Sequence, residues 1–467
     1  MRLPLALAAT AMLAACTVGP DYRRPEVALT PRYQTPAAIA PVDVPWWTRF
    51  GDHVLDGLVT HALAQNLDIA AATARIDQAR GAARAAGAAL LPTVGAAGSA
   101  ERDITSLQTP IGAAAHELRL PRDYALYQAG AQASWEIDLF GGLRRGREAA
   151  RADLAASLAS ADAVRLSVAA ETADAYLQLR GLQARLAVAE DELRTEKQLV
   201  DLIRQQTGQG LVADRELNRT LGEQQGIEAA IPPLRAAIQG QINRLAVLTG
   251  QQAGIGHAEL AQAVAIPVAP DPSGDIEPAE LMRRRPDLVA AERQVAAANA
   301  RIGVAISDYY PHVSLGGLLG FATVGGGGLF TGDALQAGAM GGLRWRLFDF
   351  GKVDAEVAQA RGHEAEALAR YRGAVLRATE DVEDSLTRLA EGRTEIALRE
   401  RQVASLTRSR DQARQAYAGG VLALVDVLDA DRALLDASDR LATARTDTAR
   451  ASVAAIRALG GGWETRS

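Results

Sequence analysis

What this 467-residue sequence has little of narrows the possibilities first. It holds a single cysteine, Cys16, which excludes an intrachain disulfide framework and any cysteine-based zinc site. Acidic residues outnumber basic ones and the formal net charge is -6, so the basic excess of a nucleic-acid binder is missing. No stretch approaches the ~20 apolar residues that a membrane-spanning helix needs. The six histidines, His53, His61, His116, His257, His312 and His363, show no metal-ligand spacing. The glycine run Gly325 to Gly328 lacks the Lys-Ser/Thr that would follow in a phosphate loop. No active site emerges, no cofactor is implied by these residues, and an enzyme is not expected. Aromatics are also scarce, at 4 %. Long alanine-, leucine- and arginine-rich stretches without proline take their place, which is the composition of long helices.

The N-terminus is the first positive signal. Arg2 precedes the apolar run Leu3 to Leu13, about half the length of a spanning helix, and the run closes on Leu13-Ala14-Ala15-Cys16. This predicts a cleaved signal peptide over 1–15 with a lipobox. Cys16 would then become the mature N-terminus, carrying a thioether-linked diacylglycerol and an N-acyl chain. Small residues at Ala14 and Ala15 admit a peptidase, and Thr17 rather than an aspartate after the cysteine favours sorting to the outer membrane.

The remainder is a tandem repeat. Leu90-Leu91-Pro92-Thr93-Val94 recurs 219 positions later as Tyr309-Tyr310-Pro311-His312-Val313. Trp135-Glu136-Ile137-Asp138-Leu139-Phe140-Gly141 recurs 210 positions later as Trp345-Arg346-Leu347-Phe348-Asp349-Phe350-Gly351. Gly210-Leu211-Val212-Ala213 matches Gly420-Val421-Leu422-Ala423 at that same offset of 210, as Thr249-Gly250 matches Leu459-Gly460. The single change of offset makes one connecting segment nine residues longer in the first half.

Each half runs helix, two strands, long helix, tight turn, helix. In the first, residues 53–91 carry apolar residues at helical spacing, Leu55, Leu58, Val59, Ala62 and Leu63, until Pro92. From Tyr127 the period changes to two: Tyr127, Ala129, Ala131, Ala133, Trp135, Ile137 and Leu139 fall on one face, and Gln128, Gly130, Gln132, Ser134, Glu136 and Asp138 on the other. Val94, Ala96, Gly98 and Ala100 begin a partner strand; Val313 to Phe321 and Ala337 to Leu347 repeat the pair. Transmembrane strands of ~9–11 residues have this alternation, with an apolar outer face and aromatics near the interface; the other reading is two hairpins packed on the helices of a soluble protein. Two hairpins cannot close a barrel, and an open edge cannot face lipid, so several chains must contribute if the strands span a membrane. Residues 143–206 and 352–417 are proline-free runs, each about 95–100 Å long as a helix.

Particular segments resemble the TolC/OprM family of outer-membrane factors, in its lipoprotein branch paired with resistance-nodulation-division pumps (the NodT-type efflux lipoproteins). They are Cys16-Thr17-Val18-Gly19-Pro20-Asp21-Tyr22 with Arg24-Pro25, Trp46-Trp47 with Phe50-Gly51-Asp52, and Arg283-Arg284-Arg285-Pro286-Asp287-Leu288 with Ala291-Glu292 and Ala298-Asn299-Ala300-Arg301-Ile302-Gly303. The resemblance covers essentially all of the chain after Cys16. It implies a mainly α protein with a transmembrane β part, a homotrimer whose four strands per chain close a 12-stranded barrel above a 12-helix periplasmic tunnel, with a mixed equatorial region. On that plan 16–52 is a lipidated linker and equatorial segment, 53–250 the first repeat, 251–280 an equatorial linker, 281–460 the second repeat and 461–467 a short tail.

The function implied is a passive gated exit duct for drugs or small solutes, with a periplasmic adaptor and an inner-membrane pump as partners and outer-membrane lipid around the barrel. A type I protein-secretion channel is the alternative that shares the fold. A third reading, a periplasmic coiled-coil lipoprotein without a pore, leaves the strands unexplained. The family's gate segment matches Val425-Asp426-Val427-Leu428-Asp429-Ala430, which puts Asp426 and Asp429 in an acidic ring, three residues apart on one helix face. Tyr417 falls where the family has a gate-constraining tyrosine, Leu422 where some members have its arginine, and Glu216 is the first-half counterpart of Asp426. The turns Gly208-Gln209-Gly210-Leu211-Val212 and Gly419-Gly420-Val421-Leu422 are the implied adaptor contacts.

Overall fold

A computed structural model describes residues 17–34, 45–254, 258–268, 270, 284–325 and 327–461. The signal peptide expected over 1–15, Cys16 and the tail beyond 461 lie outside the described residues, as do Arg283 and much of the 251–280 linker. A 3-10 turn at Trp46–Phe50 leads into α1 (His53–Gln65), α2 (Leu67–Ala88), β1 (Thr93–Ile104), α3 (Pro110–Glu117), β2 (Asp123–Ile137), α4 (Gly142–Gly208) and α5 (Asp214–Leu248). After the one-turn α6 (Ala258–Ala261) come α7 (Pro286–Ser307), β3 (His312–Val324), β4 (Leu335–Arg344), α8 (Lys352–Ala418) and α9 (Leu424–Ala458). The repeat is kept to the residue: α4 and α8 have 67 residues each, α5 and α9 have 35 each, and both pairs start and stop 210 positions apart. The longer first connection contains α3, which opens with Thr109 accepting from the Gly112 amide and with Pro110 in its first turn.

The chain forms two compact units, each assembled from three segments: Met1–Pro25, Asp77–Ala156 and Glu292–Arg370 in one, Glu26–Ile76, Ser157–Ala291 and Tyr371–Ser467 in the other.

The first unit holds the sheet. All four strands pair antiparallel in the order β1-β2-β3-β4, so the two hairpins expected from the sequence are joined through β2 and β3. The register places the apolar sets of successive strands side by side. Val94 faces Ala133, Ala96 faces Ala131 and Ala100 faces Tyr127. Trp135 faces Leu315, Ala131 faces Leu319 and Ala129 faces Phe321. Val313 faces Leu343, Leu319 faces Ala337 and Phe321 faces Leu335. One continuous apolar face results, because partners directly across a ladder point to the same side. Nothing among the described residues covers it: Val94 is 70 % exposed, Leu319 61 % and Leu343 68 %. That separates a lipid-facing sheet from hairpins packed on a soluble core. The strand expected to run to Leu347 stops at Arg344. Its counterpart β2 reaches Ile137 because β3 lies beside it as far as Val313, whereas β4 is the edge of the sheet. The tryptophans still keep the repeat, Trp135 donating from Nε1 to the Leu90 carbonyl and Trp345 to that of Tyr309.

Also in this unit, the first described residues are bound as a strap. The Val18 amide donates to the Phe140 carbonyl, and the buried Arg145 guanidinium reaches the Val18 and Gly19 carbonyls, Asp21 and Glu148. Gly19, at φ 93°, passes so close to Gly303 that a Cβ on it would sit 2.4 Å from the Gly303 Cα. Only glycine fits both the left-handed backbone and that approach. The Tyr22 hydroxyl donates to Glu292. Motifs nearly 300 positions apart in sequence are thus neighbours.

In the second unit, Trp46, Trp47 and Phe50 are buried and meet edge to face, Gly51 turns the chain at φ 66°, and Asp52 caps α1 by accepting from the Val54 and Leu55 amides. Leu55, Leu58, Val59 and Ala62 are buried and Leu63 half-buried, the face that their spacing predicts. The single helix expected over 53–91 is two. Asn66 ends α1 and begins α2: its Nδ2 donates to the Leu248 carbonyl while its Oδ1 accepts from the Asp68 and Ile69 amides. The break is a local asparagine cap, and the Leu248 carbonyl, 182 residues away, fixes the amide that makes it. The helices α4 and α9 are laced by two forked ion pairs, Arg185 to Asp439 and Arg450 to Asp174.

Candidate functional site at the helical tips

Both long helices end the same way. Gly210 (φ 71°) donates to the Thr207 carbonyl and Leu211 to that of Gln206; Gly420 (φ 73°) donates to Tyr417 and Val421 to Ala416. These are Schellman turns, which satisfy the last carbonyls of a helix and need a left-handed residue, hence the glycines. The turn residues Gly208, Gln209, Gly210, Gly419 and Gly420 are exposed, while Val212 and Leu422 are half-buried. Leu211 and Val421 hold repeat-equivalent places at the two tips and are 71 % and 83 % exposed, so each tip presents an aliphatic side chain to its surroundings.

The return helices begin at Ala213 and Ala423, neither of which offers a capping side chain. Glu216 and Asp426 lie in the respective first turns, where a carboxylate suits the positive end of the helix dipole. They differ beyond that. Glu216 is half-buried and accepts from Arg215 at 2.8 Å, while Asp426 is exposed. Asp429 is exposed too, on the same face, with Arg219 of α5 at 4.0 Å. Tyr417 packs against the cluster of Ile203, Leu424 and Leu428, and its hydroxyl donates to Gln206 Oε1 at 3.1 Å. It ties the end of α8 to the end of α4. Burial, and then the nearby Glu216 charge, raise its pKa, so the phenol stays protonated and keeps donating.

A third group escapes a reading of the sequence. Glu192 and Glu196, one turn apart on α4, meet Asp431 of α9, and all three are buried, at 8, 1 and 3 % exposure. Arg414 Nη2 contacts both Asp431 oxygens at 2.9 Å. Burial, and then the Asp431 charge, push Glu192 and Glu196 up to about 7. In the sequence they are two glutamates on a helix rich in Glu and Arg, indistinguishable from a solvated face; only the approach of Asp431 from a distant helix singles them out.

Residues 58–251 and 278–461 match the family model described as outer membrane efflux protein. The chain belongs to that family. The pyoverdine export outer membrane protein OpmQ of Pseudomonas putida is 32 % identical, with 100 % of this chain and 97 % of that protein aligned. Nodulation protein T of Rhizobium leguminosarum bv. trifolii is 30 % identical over 97 % of this chain and 96 % of its own. Among solved structures, the outer-membrane channel OprN superposes with a TM-score of 0.88 at 32 % identity, covering 96 % of this chain and 100 % of that one. OpmQ is an outer membrane export protein and OprN an outer-membrane channel, which supports efflux and not the protein-secretion alternative. The resemblance read from Cys16-Thr17-Val18-Gly19, Trp46-Trp47 and the Arg-Pro-Asp segment is therefore borne out.

Proposed function

We propose that this efflux channel works as a homotrimer, a passive duct from periplasm to exterior, gated at the helical tips. The observation that carries the assembly is the sheet: a continuous apolar face that no described residue covers, bounded by two open edges, β1 and β4. Unpaired edge amides and carbonyls cost several kcal/mol each in hydrocarbon, so the edges must be closed by further copies. Three four-stranded sheets give 12 strands, an even number within the barrel range.

Asp426 and Asp429 from each copy would then form the acidic ring of the periplasmic opening. Tyr417 and Gln206 would hold the tip, with Leu422 supplying no arginine to help them. Glu216 is the weaker member of the set, because Arg215 already neutralises it. The exposed Leu211 and Val421 support the turns as docking points for a periplasmic adaptor, which would connect the duct to an inner-membrane resistance-nodulation-division pump. Cys16 would carry the acyl chains of the anchor, one signal beside the barrel itself.

Deleting the chain should increase drug susceptibility several-fold only in cells that express the cognate pump and adaptor; unchanged susceptibility across a broad panel would remove the efflux role. Cys16→Ser should abolish incorporation of radiolabelled palmitate, and persistent label would sink the anchor assignment.

A further inference from the structure

The buried carboxylates of Glu192, Glu196 and Asp431 are not accounted for by gating or by helix packing. Their repeat-related positions are Gln402, Leu406 and Leu221, so the corresponding places in the other repeat carry no carboxylate at all. The fold can evidently build such a seam without one. Charge is also out of balance. Among the described residues one guanidinium, that of Arg414, contacts the group, and it meets Asp431, so neither glutamate can ionise without leaving an uncompensated buried charge, which is costly. The other charges bearing on the group are Arg410 and Glu223; Arg410 is paired with Asp411 and Glu223 with Arg432.

Two further observations point to a ligand. Glu196 is 1 % exposed, and its Oε1 has no hydrogen-bond partner among the described residues. One oxygen from each of the three residues lies within 4.8 Å of the others. Oxygens on opposite sides of a cation with bonds of about 2.4 Å are about 4.8 Å apart, so one ion can reach all three, and an all-oxygen donor set suits a hard divalent ion. Asp431 can take part while accepting from Arg414, since each carboxylate oxygen has a second lone pair.

We propose that Glu192, Glu196 and Asp431 bind one hard divalent cation of the calcium or manganese class, which clamps α4 to α9 behind the tip. A cation there would balance the charge of both glutamates as they ionise and occupy the unpartnered Glu196 oxygen. It would also hold together the helices that carry Asp426 and Asp429 on one side and Gln206 on the other.

The test is Mn2+ binding to the purified full-length protein in detergent, read by electron paramagnetic resonance, with Ca2+ as competitor. One Mn2+ per chain is expected, displaced by Ca2+. Glu196→Gln and, separately, Glu192→Gln should each weaken binding by more than about tenfold, the loss that even outer-shell partners of a metal command. Both variants should keep wild-type helical content by circular dichroism; if one does not, the other decides. Asp426→Ala with Asp429→Ala should leave this binding intact. The proposal is overturned if Mn2+ fails to bind at millimolar concentration, or if binding survives in the glutamine variants and disappears with the tip aspartates.

Discussion

Replacing Asp426 and Asp429 together by alanine is expected to reduce the cation preference of the open channel several-fold, seen as a shift of reversal potential toward zero in a salt gradient. Both side chains are exposed on one face of the first turns of α9, at the end of the helix where the proposed ring would lie. A ring of carboxylates sets selectivity through the local concentration of counter-ions, so its removal acts on permeation more than on folding. The single variants should differ in kind. Asp426→Ala removes an exposed charge, whereas Asp429→Ala also releases Arg219, 4.0 Å away, to present its own positive charge. Asp429→Ala should therefore move the reversal potential at least as far as Asp426→Ala. An unchanged reversal potential in the double variant would take both residues out of the gate.

Arg285→Ala should give a marked loss of stability. The side chain is 12 % exposed and forks onto Asp287, reaches Asp381 on α8, and donates to the Ala458 carbonyl at the end of α9. It thus joins the start of α7, the middle of α8 and the last turn of α9. Hydrogen bonds to a charged group are worth about 1.5–3 kcal/mol each when buried. Asp287 and Asp381 are about half exposed and will rehydrate, so the expected cost is discounted to roughly 2–3 kcal/mol per chain rather than the sum. Arg285→Lys should fall between, since an ammonium cannot make the fork. Thermal unfolding of the purified protein followed by circular dichroism measures this, and equal midpoints for all three proteins would show that the contact is dispensable.

Much of this could be read before any coordinates, for definite reasons. Local chemistry dictated the tips: Gly210 and Gly420 stand where Schellman turns need a left-handed residue, and the common offset of 210 carried the helix limits from one half to the other. The sheet faces were legible because strand alternation has a fixed period, and the register of Ala131 against Leu319 and Leu315 against Trp135 agrees with it. What stayed hidden depends on pairs far apart in sequence. The Asn66 amide is anchored on Leu248, Arg145 grips Val18 and Asp21, and Glu192 and Glu196 become unusual only when Asp431 arrives beside them. The end of β4 was overrun because the pattern continues through Trp345 and Leu347, and the ladder that would use it needs a strand from elsewhere.

The central claim, that the exposed apolar sheet closes with other copies into a pore, is tested most directly by recording from the purified protein in planar lipid bilayers. Discrete, cation-preferring conductance steps are the predicted result. A lipid-inserted protein with full helical content and no conductance steps under any applied voltage would contradict it.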